Sequence, residues 1–145
     1  MSETRPAGSS LNTARPSCPY RVTFVAAESV LAVAGAAGAV QLATGTFAPP
    51  VSDLAPLGLT TWVLPAVWLF ATVAVPSAAA AALSWHRSTH APVAVAVASA
   101  ALAVELAVQV PFVGPSALQV VFGAAAVTLG GLAYRARRSG WSAST

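Results

Sequence analysis

Two carboxyl groups, Glu28 and Glu105, fall inside long apolar stretches of the chain. Ionisable side chains in such surroundings are rare and expensive in lipid, so each is a candidate site for a proton, an ion or a polar ligand. Glu105 has carboxamide company. Gln109 follows four residues on, which places it on the same helical face, and Gln119 and Gln41 come from two other apolar runs at similar depth. A carboxyl among amides can hold a proton or a cation while the amides orient it by hydrogen bonds. The same residues also suit a purely structural role, as a neutral glutamic acid and glutamines bonding between helices. Such bonds contribute about 0.6–2 kcal/mol each and fix register. For Glu28 the alternatives are a second ligand or proton site, or a side chain that snorkels toward Arg21 and the headgroups.

Other chemistry is poorly represented. His86 and His90 flank Arg87 in one short segment and read as solvated loop residues. With Cys18 as the single cysteine, neither an intrachain disulfide nor a dithiol centre can form. Two histidines and one cysteine fall short of a structural zinc set, so no metal and no cofactor is expected. Cys18 itself reads as an inert thiol. No nucleophile–base pair or phosphate-cradling glycine loop stands out, and no catalytic residue is assigned. Asp53, in a proline-bearing segment, reads as a turn cap or as a guard at the mouth of a pocket.

The elements that must carry these residues are membrane helices. The chain is 57% hydrophobic and 8% charged, against roughly 25% charged in soluble domains. A 145-residue globule cannot hide that much apolar surface in one core. Four apolar runs, at about 22–44, 62–85, 91–113 and 116–134, each approach the ~20 residues that cross a bilayer. A signal peptide is the competing reading of the first, but its apolar region is usually ~7–15 residues, shorter than this run. The expected fold is all-α, a polytopic four-helix bundle spanning residues 21–135, with a disordered tail over 1–20 and a short basic tail over 136–145. Pro65 falls in the first turn of the second run, where proline is tolerated; Pro76 lies inside it and should kink it. The segment from Gly45 to Thr61 is long and fairly apolar, suited to lie along the headgroup layer or to cap the bundle. Residues 86–90 and 111–115 read as short turns.

Counting ~1.5 Å per residue, Glu28 lies roughly 10 Å from one membrane boundary and Glu105 roughly 20 Å from the same one. Small residues share their faces: Ala91, Ala94, Ala98 and Ala101 line up with Glu105 and Gln109, and Gly123, Ala126 and Gly130 with Gln119. Glu28 shares a side with Ala32, Gly35 and Ala39, and Gln41 with Ala34 and Gly38. Small residues mark faces where membrane helices approach closely, so the polar groups are expected to point inward.

All seven basic residues are arginines. Arg5, Arg15 and Arg21 precede the first run, Arg87 separates the second from the third, and Arg135, Arg137 and Arg138 follow the fourth. Every one falls on a single side. The positive-inside rule makes that side cytoplasmic, with both termini there. Tyr20, Trp85 and Trp141 then mark the inner interface and Trp62 the outer one. A net charge of +3 from scattered arginines gives no nucleic-acid patch, and the basic C-terminal cluster suits anionic lipid.

Asp53 leading into Trp62-Val63-Leu64-Pro65, Glu105-x-x-x-Gln109, and Leu118-Gln119 at the start of the fourth run together resemble small four-helix bacterial membrane proteins of the actinobacterial type, loosely DoxX-like. The resemblance covers roughly residues 28–134, departs at Ala66 where those relatives carry glycine, and implies topology more than activity. The small multidrug transporters also place a glutamate in their first helix, as Glu28 would be. They carry a membrane lysine and a Gly-Phe spacing that this chain lacks, and have a weak charge bias where this one is complete.

From the residues alone the leading functional expectation is an accessory or interaction subunit of the bacterial cytoplasmic membrane, with the lipid bilayer and another membrane protein or a second copy of the chain as partners. The alternative is a proton-coupled carrier or binder of a small lipophilic molecule, using Glu105, Gln109, Gln119, Gln41 and Glu28. An enzyme with a membrane-embedded site comes third.

Overall fold

The computed structural model describes residues 20–113, 116–139 and 141. The stretch expected as an N-terminal tail, Cys18 included, lies outside these up to Pro19.

Four helices are each long and apolar enough to cross a membrane: α1 (Arg21–Thr44), α2 (Val63–Trp85), α3 (Ala91–Val113) and α4 (Ala117–Arg138). Among the described residues there is no strand. The helices pack in chain order, α1 on α2, α2 on α3 and α3 on α4. Their outward faces carry fully solvent-incompatible side chains such as Val22, Val33, Val120 and Val127, all more than two-thirds exposed. Water cannot host such a surface and a bilayer can. The chain is a multi-pass membrane protein built as an all-α bundle.

Local chemistry sets the helix ends. Gly45 adopts φ 73° after α1, and Thr46 N–H bonds back to the Gln41 carbonyl over 3.1 Å. This is the left-handed stop that glycine allows without steric penalty. Ser116 caps α4 by accepting from Gln119 N–H, while the Gln119 side chain accepts from Ser116 N–H. That reciprocal pair satisfies two donors that the first turn would otherwise orphan. α4 runs a full turn beyond Tyr134, so Arg135, Arg137 and Arg138 belong to its last turn, where positive charge complements the helix dipole. α3 ends at Val113, where its apolar run is expected to end, and carries Pro111 inside its last turn.

Pro76 acts differently from a plain kink. The five residues before Val75 (Phe70–Ala74) form a π-helical turn in which Val75 N–H reaches back to the Phe70 carbonyl. Proline removes one donor and clashes with the preceding turn; widening that turn by one residue accommodates both. Beside this turn α1 comes closest to α2. A Cβ on Gly35 would stand 3.1 Å from Val73 Cγ1 and 3.2 Å from the Ala74 nitrogen.

The arginine-bearing end is tied together. Arg21 donates to the Trp85 carbonyl over 3.0 Å and lies over the Trp85 ring. Trp141 packs on Phe24 and donates its indole N–H to the Ser88 carbonyl. At the far end, the Gly45–Thr61 segment coils through a 3-10 turn (Val51–Leu57) whose Leu54 is buried. Trp62 pins that segment by donating to the Pro49 carbonyl over 2.8 Å. Leu54 is the residue through which the segment is anchored in the bundle.

Candidate functional site

Glu105 sits on the inward stripe of α3, 6% exposed. Three neutral side chains hydrogen-bond its carboxyl group. Gln109 Nε2 reaches Oε1 over 3.0 Å from one turn along the same helix. Trp68 Nε1 reaches Oε2 over 2.9 Å and Thr72 Oγ1 reaches the same oxygen over 3.2 Å. Trp68 and Thr72 are one turn apart on α2, and the Thr72 hydroxyl also bonds the Trp68 carbonyl. Gln109 and Trp68 donate to the carboxyl group, while the single Thr72 hydroxyl hydrogen is shared between Oε2 and the closer Trp68 carbonyl at 2.8 Å. If Gln109 turns its amide over, its carbonyl faces Oε1 and can accept a proton's hydrogen bond instead.

Glu105 and Gln109 form part of the wall between two cavities. The larger, about 640 Å³, lies under the Gly45–Thr61 cap and is lined by Gln41, Phe47, Leu54, Trp62 and Trp68 among others. The smaller, about 240 Å³, lies between α1 and α4 and reaches from Gln119 and Phe122 to Leu31 and Val73. It exists because α1 and α4, the two ends of the packing order, make few close backbone contacts. No basic residue lines either space among the described residues.

The five residues singled out from sequence are distributed as follows. Glu105 and Gln109 are bonded to each other. Gln41 is exposed on its helix and lines the larger cavity. Gln119 lines the smaller one, but its side chain is engaged in the cap of α4 rather than with Glu105. The Ser-x-x-Gln spacing at Ser116 and Gln119 is the signal that identifies this role. Glu28 lies apart from the others. It is fully buried and neither of its carboxyl oxygens has a hydrogen-bond partner. It does not snorkel to Arg21, whose guanidinium is turned to Trp85.

Trp68 and Thr72 are the functional-site residues that sequence reasoning missed. A signal existed: Trp68 lies well inside its span, away from the interfacial belt where membrane tryptophans concentrate. A tryptophan at that depth needs an acceptor for its indole N–H. His86 and His90 are exposed, and among the described residues no group of histidine, cysteine and acid could hold a metal.

No protein-family model, curated protein or solved structure matches this chain.

Proposed function

We propose that this protein binds a small lipophilic molecule within the membrane, in the cavity under the Gly45–Thr61 cap, with Glu105 as its polar anchor. One observation carries the reading: a largely apolar space of about 640 Å³ has at its wall a carboxyl group positioned by three hydrogen-bonding side chains. Spaces of roughly 300–1,000 Å³ with a few convergent polar groups are where small molecules bind. Of the roles that the sequence leaves open, accessory subunit, binder or carrier, and membrane-embedded enzyme, the paired cavities favour the binder or carrier. The Gln109 amide, able to serve Glu105 in either protonation state, supports coupling of binding to a proton. In this reading the protein lies in a bacterial cytoplasmic membrane with the arginine end inside, both termini with it, and the cap outside.

The test is saturable binding of the uncharged dye Nile red to purified protein in mild detergent, against empty micelles. Wild type should saturate at one site per chain. Leu59→Trp, which fills the larger cavity from the cap, should abolish saturation. A Leu59→Trp protein that binds as well as wild type would place the dye elsewhere and end this assignment.

A further inference from the structure

We infer that the ligand of this cavity is a lipophilic organic cation, an amine or onium group carrying apolar substituents. The inference rests on the cavity being a binding site, as proposed above, and adds the charge class of what it takes.

The cavity has one ionisable group at its wall, Glu105, and no basic residue to compensate it. Its hydrogen-bond partners Trp68, Thr72 and Gln109 are all neutral; they orient the carboxyl group and bring no counter-charge to its ionised form. A neutral apolar occupant would displace water and leave that charge with less compensation, and an anionic one would add repulsion in a medium of low dielectric constant. A cation cancels it.

The aromatic lining points the same way. Phe47, Trp62 and Trp68 line this space. The two indoles have already committed their N–H groups, Trp62 to the Pro49 carbonyl and Trp68 to Glu105. What they offer an occupant is ring surface, and the negative face of a tryptophan ring attracts cations, especially where water is excluded. Ring surface alone would suit any apolar ligand. Together with an unbalanced carboxylate it selects a charged one.

The charge on the approach agrees. Asp53 is half-buried in the 3-10 turn of the cap, next to the cavity-lining Leu54. The sequence from Gly45 to Thr61 contains no arginine, lysine or histidine. Asp53 is the one charged residue of this segment, and its negative charge favours cations near this end of the bundle.

Three probes of nearly the same size and shape separate charge from shape: tetraphenylphosphonium, tetraphenylsilane and tetraphenylborate, which carry positive, zero and negative charge. Equilibrium dialysis against wild-type protein in a nonionic detergent, with empty micelles subtracted, should give saturable binding of the phosphonium about tenfold or more tighter than of either isostere. In Glu105→Gln that preference should fall to about threefold or less, the aromatic contribution remaining. Saturable binding of all three with equal affinity to wild type would overturn the cation assignment while leaving the binding site standing. Absence of saturable binding of all three, with Nile red also failing, would remove the site itself. The wild-type comparison decides the class even if Glu105→Gln proves unstable.

Discussion

Trp68 donates its indole N–H to Glu105 Oε2 across 2.9 Å, joining α2 to α3 where the two cavities meet. The indole is donor-only and Glu105 is buried, so each group answers the other's need for a partner away from water. Trp68→Phe should cost about 1–3 kcal/mol by leaving one oxygen a donor short. In a Glu105→Leu background the same change should cost far less, because the acceptor is gone. Unfolding by titration with a denaturing detergent, run as a double-mutant cycle, reads the coupling. Equal losses in both backgrounds would mean the bond contributes nothing to stability.

The close approach of α1 to α2 gives a second prediction. Gly35→Ala places a methyl 3.2 Å from the Ala74 backbone nitrogen, which cannot swing aside. Overpacking of this kind costs about 1–3 kcal/mol. Gly130→Ala meets only Ser99 Cβ at 3.7 Å, and Gly123→Ala only Leu106 at 4.0 Å. Both are ordinary contact distances, so both substitutions should be tolerated. Thermal stability in detergent distinguishes the three, and a Gly130→Ala protein as damaged as Gly35→Ala would show that the tight seam lies on α4.

Glu28 gives a third. Its carboxyl is fully buried, with both oxygens lacking a hydrogen-bond partner. Replacing an unsatisfied buried polar group with an apolar one of similar size recovers a penalty of about 1–3 kcal/mol. Glu28→Leu should therefore be more stable than wild type in the same denaturation assay, with Glu28→Gln between them. A loss of stability in Glu28→Leu would mean the carboxyl has a partner that stabilises the fold.

Topology supplies the fourth. In intact cells, with Cys18 replaced, a single cysteine at Ser52 in the cap should react with a membrane-impermeant thiol reagent. One at Ser139, just past the end of α4, should react only after permeabilisation. The reverse pattern would invert the assigned orientation, and labelling of both from outside would contradict the three crossings between them.

Much of the architecture was legible in the sequence because lipid imposes it locally. A bilayer accepts only segments that satisfy their own backbone hydrogen bonds, so the length and apolarity of each run define a helix without reference to the rest of the chain. The first three helices begin and end within a residue of where their apolar runs do. The fourth runs four residues further than its apolar stretch, because arginines are excluded from lipid but are good helix formers beyond it. The small-residue periodicity also placed Glu28, Gly35, Ala98, Glu105 and Ala126 on inward faces, and all are buried.

Pairing between helices is a different matter, because it depends on rotation and register that no single run encodes. Glu105 and Gln109 share a face by helical geometry alone, and their bond follows from sequence spacing. That the other donors are Trp68 and Thr72, and not Gln119, depends on α2 packing against α3 with a widened turn at Phe70–Ala74. That turn shifts every residue beyond it relative to an unbroken helix. The cap over the larger cavity is likewise a tertiary outcome: Leu54 is buried only because the loop folds back and Trp62 holds it there. Sequence determined which segments cross the membrane and which faces turn inward, through the local demands of lipid on backbone and side chain. The tertiary structure alone decided which inward groups meet, because hydrogen bonds act over about 3 Å and helix register must be fixed to that precision before partners exist.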